Sequence, residues 1–167
     1  MNGWDPQLCH SSTMEISAVD GSAELASITA TLLAQLPTWF GIPEANTEYV
    51  NAACDLPGLV ARADDEPVGM LLYRRHFPQA SEIHLMAVAP NWHRHGIGAA
   101  MVHRLVSDLR GSGCQLLQVK TLGPSRPNAG YAATRAFYEA MGFLPLEELT
   151  TLWGNNPCLL MVMPLRP

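Results

Sequence analysis

Gly96 and Gly98 stand two apart at the opening of a long stretch of helical apolar spacing, directly behind His93, Arg94 and His95. Upstream, Val88-Ala89-Pro90 ends a strand-like run. A strand, a short turn and a helix that opens on glycines together form a natural anion site. The first amides of a helix have no internal acceptor, and the helix dipole adds partial positive charge there. At 96 and 98 no Cβ atom would hold a phosphate off the backbone. Arg94 adds a fixed charge, and His93 and His95 add to it when protonated. The arrangement suits a pyrophosphate. Close packing of a helix on a sheet would call for the same two glycines. The third glycine of a dinucleotide fingerprint and the Gly-Lys-Ser/Thr of a Walker loop are both missing.

A second group with chemical potential is Glu82-Ile83-His84-Leu85-Met86-Ala87-Val88. Strand parity puts Glu82 and His84 on one face, so two proton acceptors share one cleft. An amine with a lysine-like pKa of about 10.4 is mostly ammonium near neutral pH and must lose a proton before it attacks. A free glutamate at about 4.3 is too acidic to take it efficiently. The apolar neighbours Ile83, Leu85 and Met86 are expected to raise the Glu82 value by desolvation. His84, near 6.5 when unperturbed, is the rival, and a third case is an amine that arrives already neutral. Each residue also has an ordinary structural use, as a solvated strand-end carboxylate or a satisfied half-buried imidazole.

The elements that must hold these residues read out of the apolar pattern. The chain has 167 residues, 48% hydrophobic and 15% charged, which suits one globular domain. Its formal charge of -5 lacks the basic footprint of a nucleic-acid binder. Met1 to Ser12 shows no basic segment followed by an apolar run, so it does not read as a signal peptide. Residues 1–13 read instead as a loose arm, with Met14 an alternative start. No stretch reaches the ~18 apolar residues of a membrane span. The four cysteines are scattered and form no Cys-x-x-Cys pair, as free thiols in a reducing cytoplasm would be. His93, His95 and His103 lack metal-ligand spacing, so no metal is expected.

Met14 to Val19 reads as a strand, Ser22 to Leu36 as a helix stopped by Pro37, and Glu44 to Cys54 as a shorter helix. Leu59 to Ala63, Val68 to His76 and Glu82 to Ala89 read as an antiparallel meander, with a polar turn at Asp64-Asp65-Glu66-Pro67. Gly96 to Arg110 carries one stripe of Ile97, Met101, Val102, Leu105, Val106 and Leu109, with Gly111 as its cap. Leu116 to Thr121 is a buried strand, Tyr131 to Met141 a helix closed by Gly142, and Leu144 to Trp153 and Cys158 to Met163 the last strands. The order is β-α-α-β-β-β-α-β-α-β-β. The central strand-helix-strand unit requires one parallel pair in a largely antiparallel sheet.

The segment Val88-Ala89-Pro90 through Ala99 resembles the coenzyme A loop of the GNAT superfamily of N-acetyltransferases, Gln/Arg-x-x-Gly-x-Gly/Ala after Val-x-Pro. His93 takes the Gln/Arg place, and Gly96 and Gly98 match. Tyr131 to Phe143 resembles the family's Asn-x-x-Ala-x-x-Phe/Leu-Tyr-x-x-x-Gly-Phe. Phe137-Tyr138 and Gly142-Phe143 are in place, and Tyr131 and Thr134 stand where the family has Asn and Ala. Glu82 has the spacing of the glutamate base found in some members.

The resemblance covers about residues 58–163 and implies the α/β (α+β) acyltransferase fold, a mixed sheet of about seven strands with about four helices, over residues 14–167. It implies acetyl-coenzyme A as donor and no metal. The implied loop ligands are His93, Arg94, His95, Gly96, Ile97, Gly98 and Ala99. The backbone of Met86, Ala87 and Val88 is implied along the pantetheine arm, with Tyr131, Thr134 and Phe137 facing it. One main-chain amide would polarise the thioester carbonyl. Tyr138 would protonate the leaving thiolate and Glu82 would serve as base. The expected activity is direct transfer to an amine, a small molecule or a protein amine, in a cytoplasmic enzyme. A homodimer is compatible with it, and no membrane or nucleic-acid partner is implied. The alternative is a regulatory domain that binds acetyl-coenzyme A without turnover. In the family the acceptor is chosen by the first two helices, the loop between them and the last strands. Here those regions offer Trp39, Phe40, Tyr49 and Thr151 to Asn156.

Overall fold

In the computed structural model, residues 13–165 are described. The expected arm therefore lies outside the described residues except for Thr13. Seven strands and four helices follow in the predicted order: β1 Met14–Val19, α1 Ala23–Ala34, α2 Pro43–Ala52, β2 Gly58–Ala63, β3 Glu66–Phe77, β4 Ala80–Val88, α3 Ile97–Gly111, β5 Leu116–Leu122, α4 Ala129–Ala140, β6 Leu144–Trp153 and β7 Asn156–Pro164. A single 3₁₀ turn, Pro90–Trp92, links β4 to the loop before α3.

The strands form one sheet in the order β1-β2-β3-β4-β5-β7-β6. Only β4 and β5 pair in parallel, as the crossover through α3 demands. That pairing ends at Ile83 and Val119, so the remainder of β4 runs on with β3 on one side and no strand on the other. The result is an opening inside the sheet, between the diverging ends of β4 and β5.

Each face of the sheet has its own core. Leu25, Leu32 and Leu33 of α1 pack with Val60, Met70, Leu72, Leu85 and Ala87. On the other face, the whole predicted stripe of α3 packs with Leu71, Ile83, Leu117, Val119, Tyr138 and Phe143. Local chemistry sets the ends. Ser22 Oγ accepts from the Leu25 amide and starts α1. Pro43 occupies the first turn of α2, where its missing N–H is no loss. Asp64 and Asp65 both have positive φ and close the β2–β3 hairpin in two residues, so Glu66 already belongs to β3 rather than to the turn. Gly111 turns out to be the last residue of α3. The left-handed position that ends the helix is Gly113, with φ +77°.

One departure matters for the site. In the β3–β4 register Leu72 faces Leu85 but Tyr73 faces Ile83, which leaves His84 as an extra, bulged residue. Leu85 therefore packs in the α1 core while Ile83 packs in the α3 core. Glu82 and His84 do share a face, as parity predicts, but the bulge adds Leu85 to it.

Candidate active site

The loop after β4 is shaped by its own backbone. Arg94 and Gly96 adopt positive φ, +63° and +79°, and Gly96 caps α3 in the left-handed conformation that glycine accepts without strain. The first bond inside the helix runs from the Ala100 amide to the Gly96 carbonyl. The amides of Ile97, Gly98 and Ala99 are thus left open, as an anion site needs. Gly98 has Phe137 and Met86 beside it, and a Cβ there would lie 3.4 Å from the Phe137 ring. The helix start is therefore packed against α4 and β4 as well as open to a ligand.

His93 does not project as a free cation. Its Nε2 donates to the Val88 carbonyl at 2.7 Å, and its ring meets Trp39 edge-on at 5.7 Å. It holds the loop against β4. His95 donates from Nδ1 to the His93 carbonyl and meets the Trp92 ring edge-on. It is the one residue of the predicted loop set that does not line the cavity, while Arg94, exposed, does.

That cavity, of about 1450 Å³, runs from the loop through the opening between β4 and β5 to the sheet face beneath α2. It exceeds the roughly 300–1,000 Å³ of a single-ligand pocket, which suits two substrates held together. Met86, Ala87 and Val88 form one wall, with Tyr131, Thr134 and Phe137 of α4 facing them. Tyr131 and Thr134 are occupied within the protein. The Tyr131 hydroxyl donates to the Trp39 carbonyl at 2.7 Å, and Thr134 Oγ1 to the Gly130 carbonyl. The Trp39 ring packs against Gly130, so the loop between α1 and α2 is tied across to α4. Trp39, Phe40, Tyr49, Leu152, Trp153 and Asn156 all line the cavity, as regions expected to choose the acceptor would.

Tyr138 lines the cavity from the α3 core and is 5% exposed, its ring edge-on to Phe137 and Phe143. Burial pushes its phenol well above the ordinary tyrosine range. It is a protonated hydroxyl at any pH where the protein works.

Glu82 does not follow the sequence expectation for its pKa. Burial does favour the neutral acid, but three donors outweigh it. Lys120 Nζ lies 2.8 Å from Oε1, while His76 Nε2 and Gln118 Nε2 lie 2.6 and 3.0 Å from Oε2. The carboxyl is held below its usual range and stays ionised at neutral pH. His76, Gln118 and Lys120 were not singled out in the sequence. Gln118 and Lys120 alternate on β5, but nothing local says that Glu82 is the partner of Gln118 in the register. His84 packs edge-on to Tyr49 at 5.7 Å. Burial, and then the charge of Arg74, lower its pKa, so its imidazole is neutral near pH 7. Two further lining residues, Asn46 and Thr121, each have a buried oxygen without a protein partner. No group of metal-ligand type occurs among the described residues.

The site is thus a mixed sheet opened between its parallel strands, with free helix amides at one end of the opening. The model of the Acetyltransferase (GNAT) family matches residues 28–143, and the chain belongs to that family. A search of curated proteins finds no match. Among solved structures, a GNAT-family acetyltransferase from Desulfovibrio desulfuricans is 23% identical with a TM-score of 0.76, covering 92% of this chain and 100% of that one. An aminoglycoside 6'-N-acetyltransferase complexed with coenzyme A is 19% identical with a TM-score of 0.72, covering 92% and 98%. A GNAT acetyltransferase from Elizabethkingia anophelis with acetyl-CoA bound is 15% identical with a TM-score of 0.66, covering 90% and 97%. At these identities the likeness is one of fold.

Proposed function

We propose that the chain transfers an acetyl group from acetyl-coenzyme A to a primary amine, by direct attack while both substrates are bound. The observation that supports this reading is a single cavity joining three features: open amides at the α3 start, the opening beside Met86, Ala87 and Val88, and Tyr138 with Glu82 and His84 on its walls. The residues fit the donor, because the amides of Ile97, Gly98 and Ala99 need acceptors and Arg94 adds charge.

In this reading the α3 amides hold the pyrophosphate. The free main-chain edge of β4 aligns the pantetheine arm and polarises the carbonyl with one amide. Tyr138 gives its proton to the departing sulfur, a role suited to a phenol that does not ionise. Glu82, already saturated with donors, serves as a fixed negative charge that favours the ammonium's approach. His84, neutral and in the same cleft, takes the proton on its way to water. No helix among the described residues is long and apolar enough to cross a membrane. The proposed setting is the cytoplasm, where Cys54, Cys114 and Cys158 remain free thiols.

The test is thiol release from acetyl-coenzyme A over a library of amines, with calorimetry of acetyl-coenzyme A alone. Amine-dependent release supports the reading. Tight binding with no release for any amine sinks it in favour of a non-catalytic coenzyme-binding domain.

A further inference from the structure

The floor of the cavity beneath α2 carries more fixed positive charge than its one buried carboxylate neutralises. Arg74 is the register partner of Glu82 across β3 and β4, so both project from the same face of the sheet. Lys120, two residues beyond the β5 partner of Glu82, projects from that face as well. Both oxygens of Glu82 are engaged, one by Lys120 and the other by His76 and Gln118. Arg74 is exposed to the cavity and makes no ion pair or hydrogen bond with the described residues. Its charge is nonetheless felt at His84. Glu48, the other carboxylate lining the cavity, is exposed on α2 as Arg74 is on β3, and the two form no ion pair.

A second observation lies on the facing helix. Asn46 donates from Nδ2 to the Phe40 carbonyl, while its Oδ1 is buried with no donor. Asn46 stands one turn before Tyr49, whose ring packs on His84. The same end of the cavity thus holds a guanidinium without an anion and a carbonyl oxygen without an N–H.

We propose that the acceptor is an amine that also carries an acidic group, in the simplest case a carboxylate, with Arg74 as its counter-ion. The proposal rests on the acetyl-transfer reading above and narrows it. A plain ammonium has Glu82 only at longer range, because direct contact means displacing Lys120 or His76, and it meets the unpaired Arg74 as a like charge. A polycation meets Arg74 and Lys120 as like charges. A carboxylate meets an unpaired guanidinium whose planar fork binds it in two places. The amine of the same molecule is then left to face Glu82 and His84. Phe40 and Tyr49 would cover an apolar side chain.

Matched probes decide it: L-phenylalanine, L-leucine and L-methionine, each against the amine left by removing its carboxyl group, with kanamycin as the polycation. Acetylation is followed by thiol release, and binding of the same probes to the coenzyme A-loaded protein is followed by calorimetry. The acid-bearing member of each pair should exceed its partner by at least about 10-fold in kcat/KM or in affinity. Arg74→Gln should bring that ratio close to one, and Arg74→Glu should invert it. Arg74 is exposed and unpaired, so neither change threatens the fold. Equal or reversed preference in the unaltered protein, or a preference that survives Arg74→Gln, overturns the proposal. Should no probe be acetylated while the acids still bind better, the carboxylate preference stands, and the acetyl-transfer reading is decided separately by the amine library.

Discussion

Tyr138 and Glu82 are both buried, and burial disfavours the charged form of each, yet their pKa values move in opposite directions. For Tyr138 nothing opposes desolvation, so the phenol stays protonated and keeps a proton to donate. Tyr138→Phe keeps the ring and its contacts with Phe137 and Phe143 and removes only the donor. We expect kcat to fall by about 10²–10⁴-fold, with acetyl-coenzyme A affinity unchanged by calorimetry. For Glu82 the donors on Lys120, His76 and Gln118 win, and the carboxyl lies below the ordinary glutamate range. Glu82 is therefore ionised throughout the neutral range and cannot produce a rate limb there. Burial, and then the charge of Arg74, lower the His84 pKa, so the rate should rise with pH through a value below that of a free imidazole. Rate profiles from pH 5 to 9 check the assignment. His84→Gln should remove that limb, whereas Glu82→Gln should lower kcat and leave the limb in place. A limb lost in Glu82→Gln and kept in His84→Gln would return the base to Glu82. The same carboxylate also affects stability. Its folded pKa is depressed, so its contribution is present above about pH 4.5 and is lost as pH falls through the folded value.

The elements were legible where they depend on local pattern. The α3 stripe, the short hairpin at Asp64-Asp65 and the parallel β4–β5 pair all follow from spacing, turn chemistry and connection length. What was not legible depends on pairing between distant segments. The bulge at His84 exists only in the register with β3, and the donors on Glu82 come from β3 and β5. The Trp39 to Tyr131 bond joins residues far apart in sequence. Gly111 looked like the cap because it follows Arg110, but it is still helical, and the positive φ comes two residues later at Gly113. The glycine-led helix start before α3 was legible from the spacing of Gly96 and Gly98, but the grip of His93 Nε2 on the Val88 carbonyl was not. Gly96→Ala places a Cβ on a left-handed residue with open space around it. The expected loss is the conformational strain alone, about 1–2 kcal/mol in denaturant unfolding, with the loop otherwise intact.

At the scale of the molecule, the sheet is a shared wall between two cores, one under α1 and one under α3 and α4. Beyond Ile83 and Val119 no strand pairing joins its halves. What spans the opening there is thin: the Tyr131 bond to Trp39, the packing of Trp39 on Gly130, and the edge contact of Trp39 with His93. A ligand lying in the opening would give the free main-chain edge of β4 new partners and bring β4 and α4 into contact through itself. Binding to the folded state alone raises stability by RT ln(1 + [L]/Kd), about 2.7 kcal/mol when the ligand is at 100 times its Kd. For a domain of this size each kcal/mol moves the melting temperature by roughly 2–4 °C. Acetyl-coenzyme A at that concentration should therefore raise Tm by about 5–10 °C in differential scanning fluorimetry. Gly98→Glu separates the loop from the rest of the opening. Its Cβ has ordinary contact distance to Phe137, so the protein should fold, while the new carboxylate sits at the open α3 amides. Affinity should drop at least about 10-fold, and the ligand-induced rise should shrink by ~1.4 kcal/mol, or about 3–6 °C. Gly98→Glu with an unaltered Tm of its own and a full ligand-induced rise would mean that the phosphates are held elsewhere along the opening.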